Sequence, residues 1–131
     1  MSVVVGFVPS PEGRAALQAA ASAARLAGKP LVVVNSAHGG AYADSALAPQ
    51  EELDGATDTI RQSGVEVDVR RLPHGQDPAE ELLATVEAAA AELLVIGIRR
   101  RSAVGKLLLG STAQRLLLQC PCPVLAVKAD G

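Results

Sequence analysis

Aromatic side chains are almost missing from this chain, whose 131 residues include one Phe, one Tyr and no Trp. This scarcity argues against base stacking on aromatic rings as a binding mode. The formal net charge of −2 also gives no support to nucleic acid or a membrane surface as a partner. No apolar run reaches the length of a bilayer span, and the first eleven residues lack a signal-peptide pattern, so we expect a cytoplasmic protein.

Cysteine is equally scarce, with only Cys120 and Cys122 on either side of Pro121. Two cysteines separated by one residue are too close for an ordinary structural disulfide, and two thiols alone make a poor metal site. The sequence therefore predicts that both act as small buried hydrophobic residues.

Short apolar runs are abundant, and they alternate with helical stretches. The five strand-like runs are Val3–Val8, Leu31–Asn35, Val65–Leu72, Leu93–Ile98 and Val124–Val127. Such alternation is typical of βαβ units and a parallel sheet, and the length suits one domain covering residues 1–131. We predict a single-domain, Rossmann-like α/β fold: an open five-stranded parallel sheet in the order 3-2-1-4-5, with helices on both faces.

Local signals mark the ends of four helices between these runs. N-caps are expected at Ser10, Asp77 and Ser111, and the second helix should begin near Pro49. Helix stops are expected at Gly28, at Gly64 and before Pro121.

The third and fifth runs differ from the buried ones. Val65, Val67 and Val69 alternate with charged residues, which indicates a half-exposed edge strand. The fifth run, Val124–Val127, is apolar and would form the opposite edge, where an uncovered strand invites aggregation. We therefore predict a homodimer joined through Val124–Val127, with the alternative that a loop or the C-terminal residues cover this edge.

The predicted strand order places a ligand crevice between the first and fourth strands. The segment after the fourth strand has the chemistry of a phosphate site, because it combines glycines, cations and hydroxyls at the start of a helix. Its relevant residues are Gly97, Arg99, Arg100, Arg101, Lys106, Gly110, Ser111 and Thr112. A Walker A motif is absent, because Gly105 and Lys106 are followed by Leu107, and no Gly-x-Gly-x-x-Gly occurs. We find no convincing catalytic set.

The segment from Gly75 to Lys128 resembles the universal stress protein family, in particular Leu-Leu-Val-Ile-Gly, Gly-Lys-Leu-Leu-Leu-Gly-Ser-Thr-Ala-Gln-Arg and Cys-Pro-Val-Leu-Ala-Val. ATP-binding members carry Gly-x2-Gly-x9-Gly-Ser/Thr, which Gly97, Gly110 and Ser111 match, whereas Arg100 stands at the second glycine. Val8 stands where the family usually has Asp, and Pro9 where Gly is common.

The resemblance implies a dimeric stress-response module that binds ATP or a related adenine nucleotide, with any Mg²⁺ arriving on the nucleotide, and that acts on an unidentified regulatory protein. The residues it assigns to the nucleotide are Val8, Pro9, Ser36, Gly97, Arg99, Arg100, Gly105, Gly110, Ser111 and Thr112. Two alternatives stay open: a member that binds no nucleotide and acts only by protein–protein association, and a slow ATP hydrolase.

Overall fold

A computed structural model describes residues 1–36, 50–72, 77–98 and 110–129, without the side chains of Ser36, Gln50 and Leu72. The strands are β1 (Ser2–Phe7), β2 (Leu31–Ser36), β3 (Val67–Leu72), β4 (Ala91–Ile98) and β5 (Val124–Lys128). The helices of the described ranges are α1 (Pro11–Ala27), α2 (Gln50–Gln62), α3 (Pro78–Ala88) and α4 (Ser111–Gln119).

The five strands form one parallel sheet in the order β3-β2-β1-β4-β5. The α/β class, the parallel sheet and the predicted strand order are therefore confirmed. Val5 of β1 pairs with Val33 of β2 and with Val95 of β4, so β1 and β4 are neighbours at the centre of the sheet. The carboxyl ends of these two strands consequently lie side by side.

Helices cover both faces of the sheet, as the apolar strands require. Side chains alternate across a strand, so one face of β1 presents Val3 and Val5 and the other presents Val4. The first face packs against α1 and α2, and the second packs against α3 and α4. The central strands are buried on both sides, which explains why their sequences are continuously apolar rather than alternating.

The helix ends follow the local chemistry at most positions. The Ser10 hydroxyl accepts a hydrogen bond from the Gly13 N–H at 3.0 Å, and an Asp77 carboxylate oxygen accepts one from the Ala79 N–H at 3.0 Å. Gly28 and Gly64 adopt positive φ values of 67° and 98° after α1 and α2. These two caps and two stops are confirmed, and α2 begins at Gln50, next to the predicted Pro49, which lies outside the described residues.

The predicted N-cap at Ser111 is wrong, because Gly110 occupies the cap and Ser111 is the first residue of α4. Gly110 has extended backbone angles and no side chain with which to bond the first turn. Six strand limits also differ from the prediction by one or two residues, and two of these differences bear on the site and on the edge strand. β1 ends at Phe7, which leaves Val8 in the following turn, and β3 begins at Val67 rather than Val65.

Both predicted edge strands lie at the edges of the sheet. On β3 the charged side chains of Asp68 and Arg70 are exposed, whereas Val67 and Val69 are half-buried. On β5 the Leu125 side chain is 43% exposed, which is high for an apolar residue of a strand. Within the described part of the chain, no helix has both the length and the apolar character that crossing a bilayer demands.

We expect Gly13→Ala to destabilise the fold. Gly13 is buried in the first turn of α1, and a Cβ there would collide with the Val8 carbonyl and lie 3.1 Å from the Val8 nitrogen. Relief requires movement of the β1–α1 turn, so the free energy of unfolding should fall by about 1–3 kcal/mol, as measured by chemical denaturation.

The matched control is Gly55→Ala on α2, where a Cβ would meet no atom within 4 Å. Alanine favours a helix interior over glycine by about 1 kcal/mol, so this variant should be as stable as the parent or more stable. If Gly13→Ala stabilised the protein as much as Gly55→Ala does, the packing around Val8 would be looser in solution than in this structure.

Candidate functional site

The candidate site is the crevice at the carboxyl ends of β1 and β4. From these adjacent strands the chain continues into helices on opposite faces of the sheet, α1 after β1 and α4 after β4. This is the switch point at which open parallel sheets leave a crevice for a ligand. By topology, the amino ends of α1 and α4 both lie at this edge.

A tight turn connects β1 to α1. The Ser10 N–H donates a hydrogen bond to the Val8 carbonyl at 2.8 Å, so Pro9 is the central residue of a three-residue turn. Proline suits that position because its ring fixes φ near the value that an inverse γ-turn requires. The Val8 carbonyl also lies against Gly13, and both Val8 and Pro9 are half-buried. The turn therefore forms a packed wall of the crevice.

Gly97 lies one residue before the end of β4, where the first turn of α1 crosses the strand. A Cβ at Gly97 would collide with the Glu12 carbonyl and lie 3.2 Å from the Glu12 Cβ. The sequence associates this glycine with close approach of a ligand, whereas the structure brings the backbone of α1 to that side. Gly97 thus contributes to the site by allowing α1 to pack closely on β4.

Among the described elements of the site, the amino end of α4 is the best suited to bind an anion. Its N-cap, Gly110, makes no side-chain bond to the first turn, in contrast to Ser10 on α1 and Asp77 on α3. The N–H groups of the first turn and the helix dipole there favour negative charge. The exposed Ser111 and the half-buried Thr112 add hydroxyl groups, and α4 has no acidic residue.

Arg115 anchors α4 to the start of α3. Its Nη1 lies 2.9 Å from Asp77 Oδ2 and its Nη2 lies 3.6 Å from Glu80 Oε1. Asp77 thus caps α3 and also pairs with α4. Arg115 is not among the site residues predicted from the sequence; the signal available was its spacing, four residues after Ser111 and hence on the same side of the helix.

Asn35 is a second residue at the site that is absent from the residues predicted from the sequence. Its side chain is fully buried near the end of β2, and its Nδ2 donates to the Phe7 carbonyl at 3.0 Å. This bond joins the end of β2 to the end of β1 beside the crevice. The signal was a single amide side chain following four apolar residues of a buried strand.

The structure brings most of the predicted nucleotide residues to one edge of the sheet. Those at this edge are Val8, Pro9, Gly97, Gly110, Ser111, Thr112 and the backbone of Ser36. The remaining predicted residues, Arg99, Arg100 and Gly105, lie outside the described residues. Within the described ranges, no group of three or more His, Cys, Asp or Glu side chains could hold a metal ion.

Comparison with known proteins matches this architecture to one family. The family model of universal stress proteins matches residues 1–128. A universal stress protein of Mycolicibacterium smegmatis is 48% identical over 129 residues, which cover 98% of each chain. The structure of a universal stress protein from Archaeoglobus fulgidus aligns with a TM-score of 0.78 at 34% identity, again over 98% of each chain.

A second structure of the universal stress protein from Archaeoglobus fulgidus, in complex with dAMP, aligns with a TM-score of 0.72 at 30% identity over 98% of each chain. The family match spans nearly the whole sequence, and both the sequence relative and the structures cover it almost end to end. The chain therefore belongs to the universal stress protein family.

Proposed function

We propose that this universal stress protein binds an adenine nucleotide, with ATP as its preferred form, in the crevice between β1 and β4. The observation that carries the proposal is the amino end of α4, where the N-cap is Gly110, a residue with no side chain to bond the first-turn N–H groups. The 30% identical relative from Archaeoglobus fulgidus, which has the same fold, was solved with dAMP. A nucleotide phosphate supplies the negative charge that this helix end favours.

The phosphates would be held by α4 and by the segment before it. The N–H groups of Ser111 and Thr112 and their hydroxyls would donate to phosphate oxygens. Arg99 and Arg100, which follow β4 directly in the sequence, would add positive charge to the same ligand. Any Mg²⁺ would arrive bound to the phosphates of ATP.

The nucleoside would lie against the ends of β1 and β2. Val8 and Pro9 offer an apolar, half-buried surface, and Val8 offers no side-chain hydrogen bond to a ribose. Asn35 already donates to Phe7, so its role is to hold the two strand ends together. The phosphate half should therefore supply most of the affinity, which should increase from adenosine to AMP to ATP.

Thermal unfolding with and without ligand tests this order. A ligand that binds only the folded state stabilises it by about 2.7 kcal/mol at a hundredfold excess over its Kd. For a domain of this size we expect Mg-ATP to raise the midpoint by about 5–10 °C, AMP by less and adenosine by least. Inorganic phosphate and cyclic AMP serve as further comparisons.

No shift with any nucleotide at millimolar concentration would contradict the proposal. It would favour the second candidate, a family member that acts only through protein–protein association. The specific observation behind that candidate is the β1–α1 turn, in which the apolar Val8 and the ring of Pro9 replace groups that could hydrogen-bond a nucleoside.

Ser111→Asp separates helix stability from anion binding. An acidic residue in the first turn of a helix is favourable by about 0.3–1 kcal/mol, so the unliganded protein should unfold at the same or a slightly higher temperature. The same carboxylate would repel a phosphate, so the shift with Mg-ATP should disappear. Ser22→Asp, on an exposed part of α1, is the control and should retain the full shift. Retention of the shift in Ser111→Asp would place the phosphates elsewhere.

We also propose that the protein is a homodimer joined at the β5 edge. Leu125 on β5 is 43% exposed, and an uncovered apolar edge is a ready template for another strand. Pairing with the β5 of a second copy would cover Leu125 and satisfy the free backbone groups of both edges.

Leu125→Lys should convert the dimer to a monomer, because it places a charge in the centre of the paired edges. Sedimentation at micromolar concentration measures the change in mass. Leu26→Lys is the control: Leu26 is 86% exposed on α1, and this variant should remain dimeric. A parent protein that is monomeric under these conditions would refute the dimer.

A further inference from the structure

Cys120 and Cys122 lie in the connection between α4 and β5, away from the candidate nucleotide site. Their sulfur atoms are 3.6 Å apart, and both residues are half-buried. The sequence predicts two buried hydrophobic residues; both do pack against the core beneath α3 and α4, but each is only half-buried. They are also the only two cysteines of the chain. The molecule therefore carries one thiol pair, in two residues that are partly exposed.

The backbone holds this pair in place on both sides. The Cys120 N–H donates to the Leu116 carbonyl at 3.0 Å, which continues the hydrogen-bonding pattern of α4. After Cys122, the Pro123 carbonyl accepts a hydrogen bond from the Leu94 N–H of β4 at 3.0 Å. Pro121, between the two cysteines, has a fixed φ. The backbone of the α4–β5 connection thus holds the two sulfurs close together. This restraint lowers the entropic cost of using both as ligands.

From this geometry we infer that Cys120 and Cys122 form a two-thiolate site for a soft monovalent cation of the Cu(I) type. Two-coordinate Cu(I) prefers a near-linear arrangement, which at about 2.3 Å for each bond places the two sulfurs about 4.6 Å apart. The sulfurs lie 3.6 Å apart, so binding requires side-chain rotations that separate them by about 1 Å.

The number of donors selects the class of cation. A structural zinc ion takes four ligands, and the described residues contain no group of three or more His, Cys, Asp or Glu side chains. Thiolates are the soft ligands that Cu(I) prefers, and Cu(I) is satisfied by two of them. The same short donor set that makes the pair a poor zinc site therefore suits Cu(I).

Both thiols must lose their protons when they bind a cation, because the thiolate is the metal ligand. The affinity for Cu(I) should therefore rise with pH near neutrality.

The site is independent of the nucleotide crevice. Cys122 precedes the amino end of β5, whereas the crevice lies at the carboxyl ends of the parallel strands. The two regions are separated along the sheet by roughly the 16 Å that a five-residue strand spans. The inference therefore does not depend on the proposed nucleotide binding, and Cu(I) should leave the thermal shift with Mg-ATP unchanged.

The test is an anaerobic titration of the reduced full-length chain with Cu(I), in competition with bicinchoninate as a chromogenic Cu(I) chelator. We expect one Cu(I) per chain, with an affinity that rises with pH. Because the second thiol binds intramolecularly, Cys120→Ser should weaken the affinity by about 100-fold or more, and Cys122→Ser should do the same. The thermal midpoint of each copper-free variant verifies that it folds.

A control with the same number of thiols tests whether Cu(I) needs two adjacent cysteines or merely two cysteines in the chain. Adding Ser22→Cys on the exposed part of α1 to Cys120→Ser restores two thiols that are not adjacent. This double variant should bind Cu(I) as weakly as Cys120→Ser alone. Parental affinity in the double variant, an affinity loss of less than about threefold in Cys120→Ser, or one Cu(I) per two chains would each overturn the single-chain site.

Discussion

Close packing of the first turn of α1 on the ends of β1 and β4 is the contact on which the rest of the site depends. Two glycines permit it: Gly13 accommodates the Val8 carbonyl, and Gly97 accommodates the backbone of Glu12. With any larger residue at either position, α1 would have to move away from the sheet. The crevice would then widen, because the β1–α1 turn is held by the same contacts.

The opposite side of the crevice is organised by charge rather than by close packing. Arg115 joins α4 to the capped start of α3, so the helix that offers its N–H groups to an anion is tied to its neighbour. The ion pairs are partly exposed, and such pairs contribute little to stability individually. Their value is geometric, since they orient the amino end of α4 without covering it. A nucleotide would thus meet one wall formed by close packing at two glycines and another formed by a helix end whose N-cap is a glycine.

The two edge strands of the sheet expose different kinds of residue, and this difference underlies the proposed dimer. β3 carries exposed charged residues, which discourage pairing with another strand, whereas β5 exposes Leu125. The connection that leads into β5 also holds the thiol pair of Cys120 and Cys122. One side of the molecule thus combines an apolar edge with a pair of adjacent thiols, and the crevice at the carboxyl ends remains a separate region.

Local sequence signals determined most of the architecture. Five apolar runs between helix caps define the strands, and their degree of alternation separates the buried strands from the charged edge. The sequence also predicted an anion site at the amino end of α4. The pattern behind that prediction is local: glycine and hydroxyl residues lie between a buried strand and a helix. These features depend on residues close together in the chain, so a linear reading can recover them.

Tertiary structure alone decided which distant groups meet. Gly97 and Glu12, Asn35 and Phe7, and Arg115 and Asp77 are each separated by many residues, and their contacts arise only when the sheet closes. The N-cap of α4 is Gly110 rather than the predicted Ser111, and local propensity does not separate these two neighbours well, because both residue types are common at N-caps. Sequence periodicity also carries no information on the distance between two sulfurs. Burial, packing and contacts between distant residues are properties of the folded chain. They cannot be read directly from the order of residues along the sequence.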